Sequence, residues 1–221
     1  MQVFDVIVRF FQEGGPFMFP ISIVLAIGLA IAIERYVFLS SATRVNKKAF
    51  AELEPLLRQQ HYEQIVRIAD HNAAPITRVI GAGIARLQVS PRREDIEYAM
   101  EEGLMETIPR LEKRTPYLGT LANISTLLGL LGTIIGLIAA FSAVANADPS
   151  EKASLLSQSI SVAMNTTAFG LIAAIPLLAF HSLLQTKTTE IVDSMEMAGV
   201  KCLNVLMAKK TVSAHSRQSD E

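Results

Sequence analysis

The chain has 221 residues, half of them hydrophobic, with 20 basic against 21 acidic side chains and a net charge of −1. A mean hydropathy of +0.35 is too high for an ordinary soluble domain, and the balanced charge gives no global reason to bind nucleic acid. The single cysteine, Cys202, excludes an intramolecular disulfide and any multi-cysteine metal site, and reads as an idle, buried thiol.

Residues 1–15 form a leader. Asp5, Arg9, Gln12 and Glu13 share one helical face, while Val3, Phe4, Ile7, Phe10 and Phe11 cover much of the rest. That pattern predicts a helix lying in the outer membrane interface, with a frayed terminus as the alternative. The first apolar span covers 16–39. It lacks a basic n-region before it and a small-residue cleavage pattern after it, so it reads as a retained span. Pro16 and Pro20 sit in its first turns, where a missing N–H costs least.

Residues 40–116 read as a cytoplasmic helical domain. Apolar residues recur at three- and four-residue steps in AFAELEPLLRQQ, HYEQIVRIADH and PITRVIGAGIARLQ, punctuated by Pro55, Pro75 and Pro91. Ser90, with Pro91 just inside, predicts the start of an acidic helix from Arg92, which continues into the second span with a bend at Pro109. Its carboxylates Glu94, Asp95, Glu97, Glu101, Glu102 and Glu106 read as a solvated face, with a cation- or partner-binding ring as the alternative. The second span covers 117–145 and the third 154–186, joined by a short turn, 146–153, that holds Asp148 and Pro149. Residues 187–221 extend the third span as a helix and end in a stretch read as disordered. The expectation is an all-α membrane protein with three transmembrane helices and long cytoplasmic helical extensions.

Basic residues set the orientation. Arg44, Lys47, Lys48, Arg110, Lys113 and Arg114 bracket the long loop, and Lys187, Lys201, Lys209 and Lys210 follow the third span. The positive-inside rule then places the N-terminus in the periplasm and the C-terminus in the cytoplasm of a bacterial inner membrane.

Between Thr115 and Ala147, and again between Ala153 and Thr186, there is no Asp, Glu, Lys or Arg. Either stretch exceeds the ~20 residues needed to cross a bilayer. Both are threaded with small and hydroxyl side chains, which face other helices or water at membrane depth. In the second span Thr126, Gly129, Thr133, Gly136 and Ala140 form one stripe, and Gly132 and Gly136 a G-x-x-x-G pair. The glycines read as a packing seam. The Thr133 hydroxyl either bonds the carbonyl of Gly129, four residues back, or faces water. In the third span Ala163, Thr167, Gly170 and Ala174 share a face; Asn165 and Thr166 add donors, and Ser161 lies one turn earlier. Pro176 frees the carbonyl of Ile172 and bends the helix. His181 reads as an interfacial residue rather than a proton relay. A proton-driven device needs a group that titrates within the membrane. If this chain conducts protons, a partner must supply that group, while the chain supplies hydroxyls and ordered water.

No nucleotide-binding, zinc-protease or serine-hydrolase motif occurs, and the histidines have no metal-ligand spacing. No enzyme activity, cofactor or metal is expected.

GLLGTIIG (129–136) and NTTAFGLIAAIP (165–176), with the short turn between them and the span–loop–span–turn–span layout, resemble the MotA/TolQ/ExbB proton-channel family. The three spans are more similar to ExbB and TolQ than to the four-span MotA. The resemblance implies a homopentameric ring around a central pore, threaded by two copies of an ExbD/TolR-like single-span partner with a membrane aspartate. It also implies a proton-driven motor acting across the periplasm, with a TonB/TolA-like protein as a further partner. Thr133 and Thr167 match the family's pore threonines; with Asn165, Thr166 and Ser161 they are the expected ion pathway. Gly129, Gly132, Gly136, Gly170 and Pro176 are the expected packing positions. One departure stands out: ExbB and TolQ often carry a pore glutamate where this chain has Val162. A specialised motor (gliding, a second TonB system or defence) and a passive helical scaffold are the alternatives.

Overall fold

The computed structural model describes residues 10–11, 14–72, 74–145 and 147–218, the last ten (209–218) as backbone alone. Six helices follow in order: α1 Met18–Gln59, α2 Tyr62–His71, α3 Pro75–Val89, α4 Arg93–Glu112, α5 Thr115–Ala145 and α6 Lys152–Gln218. No strand occurs among the described residues. Apolar windows able to cross a membrane lie in α1, in the α4–α5 run and in α6. The 42 residues of α1 rise ~1.5 Å each, so this helix is about twice as long as the ~30 Å hydrocarbon core of a bilayer. The chain divides into two compact units, Met1–Arg35 with Arg114–Leu184 and Tyr36–Lys113 with Gln185–Glu221.

The ends of these helices follow local chemistry. Gly15 takes φ +73°, a left-handed conformation open to glycine at little cost, and turns the chain into Pro16 and α1. Pro55 does not end α1, as its sequence position predicts, but lies inside it. The stop comes at Gln60, at φ +61°. The Gln60 N–H donates to the Leu57 carbonyl (3.3 Å) and the His61 N–H to that of Leu56 (3.0 Å), a Schellman motif that satisfies the last carbonyls.

The helix from Arg92 does not run on into the second span with a bend at Pro109. Pro109 sits inside α4, and the chain breaks after Glu112. Arg114 is left-handed, at φ +69°, and Pro116, which lacks an N–H, then fits the first turn of α5. Ser90 does not open α4 either; it closes α3, its N–H donating to the Arg86 carbonyl. Its hydroxyl donates to Asp95, and Arg92 Nε pairs with the same carboxylate at 3.1 Å. Asp95 is thereby held below the usual carboxylate range, first by the Ser90 hydrogen bond and then by Arg92.

In the second unit, Leu53, Ile65, Ile80, Ile84, Ile96 and Leu111 are fully buried. Asn46 of α1, whose role its sequence position did not signal, accepts the Ile76 N–H at 3.2 Å and so caps α3 from another helix. Cys202 is buried, and burial pushes its thiol up to about 12. Four ion pairs among the described residues of this unit are three or four residues apart within one helix or at its start. They are exposed on at least one side, so each is worth a fraction of a kcal/mol. Lys187 lies 4.4 Å over the Tyr36 ring and bonds Ser40 at 3.1 Å. At the tail, α6 continues to Gln218, well into the stretch read as disordered.

Candidate functional site: the α5–α6 seam

The first unit is built around α5 and α6. Their connection is short, and the Asp148 carbonyl accepts the N–H groups of Glu151 (2.9 Å) and Lys152 (3.2 Å), which starts α6. The inward face of α5 carries Leu118, Ala122, Ser125, Gly129, Gly132 and Ala140; that of α6 carries Ala163, Thr166, Gly170, Ala173, Ala174 and Leu177. Most of these side chains are small because the two backbones nearly touch. A Cβ on Gly170 would lie 2.7 Å from the Ser125 carbonyl oxygen and 3.0 Å from Gly129 Cα. A Cβ on Gly129 would lie 3.3 Å from the Cα atoms of Gly170 and Thr167, and one on Gly136 would meet Ala163 at 2.8 Å. Gly132 faces the Thr166 methyl and Phe17. The close approach is therefore made within one chain. Gly28 of α1, a packing position not singled out from the sequence, would meet Leu177 at 2.5 Å.

The hydroxyls divide by position around the helix, because successive residues turn by ~100°. Thr167, part-buried, donates across the seam to the Gly129 carbonyl at 2.9 Å. Thr166, 2% exposed, turns the other way; its hydroxyl lies 2.6 Å from the Gly14 carbonyl and 3.0 Å from that of Val162. It thus fastens the turn before α1 to α6. Asn165 is half-buried and Ser161 exposed. The four polar residues expected together on α6 are spread around it.

On α5, Thr133 donates to the Leu130 carbonyl at 2.6 Å, three residues back rather than four, and is half-exposed. Thr126 is exposed and bonds Ala122 at 3.2 Å. The stripe read from the sequence is rotated: its buried centre lies toward Ser125 and Gly132, and both threonines stand at its edge. The buried Ser125 hydroxyl has no hydrogen-bond partner among the described residues. Pro176 is half-buried, and the His181 ring packs 3.7 Å from where a Gly119 Cβ would be.

Of the leader, residues 1–9, 12 and 13 lie outside the described residues, so the interfacial-helix reading rests on no described contact there. Phe10 and Phe11 are helical, and their rings pack edge-on to Phe169 at 6.2 and 5.8 Å; Phe11 also meets Phe19 at 5.6 Å. Val162 stands against Gly15, 3.1 Å from a Cβ built there. At the end of the first span, Glu34 pairs with Arg114 at 3.5 Å.

Among the described residues of α5 and of the apolar stretch of α6 there is no Asp, Glu, Lys or Arg, and His181, against Gly119, is the one titratable side chain at their contact. No group of three His, Cys, Asp or Glu able to hold a metal occurs among the described residues. The seam's threonine protons are committed to backbone carbonyls, which leaves the hydroxyl oxygens free to accept.

A model of the MotA/TolQ/ExbB proton channel family matches residues 71–197. A protein of Methanothermobacter thermautotrophicus named as a biopolymer transport protein ExbB homolog is 27% identical over 88% of this chain and 68% of its own length. The biopolymer transport protein exbB1 of Vibrio cholerae is 30% identical over 78% of this chain and 76% of itself. The Tol-Pal system protein TolQ of Haemophilus influenzae is 34% identical over 42% of this chain and 40% of itself. The family match takes in α3, α4, α5 and α6 as far as residue 197, and with them the glycine seam, and this multi-pass helical membrane protein belongs to the MotA/TolQ/ExbB proton channel family, on its ExbB/TolQ side.

Proposed function

We propose that the chain is the ring-forming subunit of a proton-driven motor in a bacterial inner membrane, with its N-terminus in the periplasm and its long helical extensions in the cytoplasm. Five copies surround a pore. Two copies of an ExbD/TolR-like single-span partner enter it, each bringing a membrane aspartate, and the complex converts proton motive force into work across the periplasm. A TonB/TolA-like protein receives that work. Thr133 and Thr167 line the pathway.

The observation that carries this reading is a pair of acid-free spans in which the protons of two threonine hydroxyls are already spent. Thr167 donates to Gly129 and Thr133 to Leu130. Each oxygen is left as an acceptor, matched to the O–H of a neutral carboxylic acid rather than to a carboxylate. That match favours the protonated form of an entering aspartate and raises its pKa in a low-dielectric pore. The bond between α5 and α6 also makes each protomer's pair a stiff unit, so assembly uses the outer faces. There Leu127, Leu130, Ile134, Ile138 and Phe141 of α5 and Met164, Ile172 and Ile175 of α6 are exposed in the single chain.

The test is co-expression with an ExbD/TolR-like single-span protein carrying a membrane aspartate, followed by native mass spectrometry. A 5:2 complex is expected. A solitary protomer that captures no such partner contradicts the reading.

A further inference from the structure

We propose that the second unit holds an anionic phospholipid by its phosphate, in a basic cavity at the membrane surface. The cavity has a volume of about 320 Å³ and lies among α1, α3 and α4. Arg78 and Arg110 line it with the Ser41 side chain, and no carboxylate does; Phe38, Val45 and Leu111 supply an apolar wall. Both arginines are exposed and neither makes an ion pair within the described residues. Three neighbouring cavities differ in charge. One carries Glu97, Glu101 and Glu196 without a basic residue. A wider groove sets Asp70, Glu102 and Glu106 against Arg78 and Arg86. A third pairs Glu54 with Arg58 and Lys201. A fourth cavity, with Lys47 and Lys201, also lacks an acid, but its ammonium groups are point charges; the site with two guanidinium groups and no acid is the one suited to paired N–H bonds with phosphate oxygens.

The position selects a lipid. Phe38 belongs to the first apolar span, and Arg110 comes five residues before α5 begins at Thr115. Both helices therefore bring the cavity to headgroup depth, where basic pockets capture anionic headgroups. Guanidinium groups bind phosphate oxygens through paired N–H bonds. Phe38 and Val45, 41% and 42% exposed, offer the surface that a glycerol backbone and the first acyl carbons would cover. A free phosphate has no use for that wall.

The experiment is native mass spectrometry of the full-length protein, purified with its assembly intact and titrated with phosphatidylglycerol, phosphatidylcholine or inorganic phosphate. The wild type is expected to retain phosphatidylglycerol in preference to phosphatidylcholine. Arg78→Gln or Arg110→Gln should each weaken retention about fivefold, the effect of losing one basic residue near an anionic lipid. Arg78→Lys should restore part of the loss, and Arg86→Gln, in the wider groove, should have no effect. Equal retention of both lipids, unchanged binding in the two glutamine variants of intact assemblies, or displacement by inorganic phosphate alone would each overturn the proposal.

Discussion

In the first unit α5 and α6 meet through Gly129 and Gly170, whose backbones come close enough that one added carbon would collide. In the second unit the interior is filled by Ile65, Ile80, Ile84, Ile96 and Leu111, and the nearest neighbour of Gly83 of α3 is the Met100 side chain rather than backbone. The difference follows from the solvent. Water drives large apolar side chains together, at ~25 cal/mol per Å² buried, so the second unit uses branched bulk. Lipid gives no such drive, and helices there associate by close van der Waals approach and inter-helix hydrogen bonds. Glycine supplies the first and Thr167 the second.

Substitutions in the two units should separate these mechanisms. The largest loss is expected from Ile84→Ala in the second unit, ~2–5 kcal/mol for a buried branched side chain, read as a lowered thermal midpoint of the purified protein. Gly170→Ala comes next. Its new methyl meets backbone, which cannot swing aside, so overpacking costs ~1–3 kcal/mol. Gly83→Ala is its counterpart in the second unit. There the methyl meets the Met100 side chain, which can shift where backbone cannot, and helix propensity gains ~1 kcal/mol, so the loss is smaller than for Gly170→Ala. Equal losses in the two glycine variants would erase the contrast.

Thr167→Val keeps the shape and removes the hydroxyl. An inter-helix hydrogen bond in a membrane averages ~0.6 kcal/mol, so the fold and its assembly should survive while energy transduction is lost. Full activity at normal expression would remove Thr167 from the pathway. The smallest change in stability belongs to Thr133→Val, whose bond stays within its own helix; the thermal midpoint should not move measurably, while proton flux falls. A destabilised fold would show that Thr133 packs rather than conducts.

Hydropathy and charge made the three spans legible, and the three- and four-residue spacing of Gly129, Gly132 and Gly136 in one span and of Ala163, Thr167, Gly170 and Ala174 in the next marked a seam. The rotation of that seam was not legible. Thr133 and Thr167 read alike as threonines among glycines, yet one hydroxyl bonds within its helix and the other crosses to Gly129. The difference lies in how each helix is turned about its axis, with the Ser125 carbonyl against Gly170. Left-handed Gln60 and Arg114 end helices with residue types that do not announce a stop. Pro55 announces one that does not occur, because its neighbours bury Leu53 and Leu57. The Thr166–Gly14 bond spans 152 positions, and no local pattern carries such a pairing.

Proton flux into vesicles decides the matter most directly. The chain reconstituted alone should pass few protons, and adding the single-span partner should open the flux. Replacing the partner's membrane aspartate by asparagine should close it again, with the complex still assembled. Rapid flux through the chain alone, or undiminished flux with the asparagine partner, would contradict a pathway whose acid comes from outside this chain.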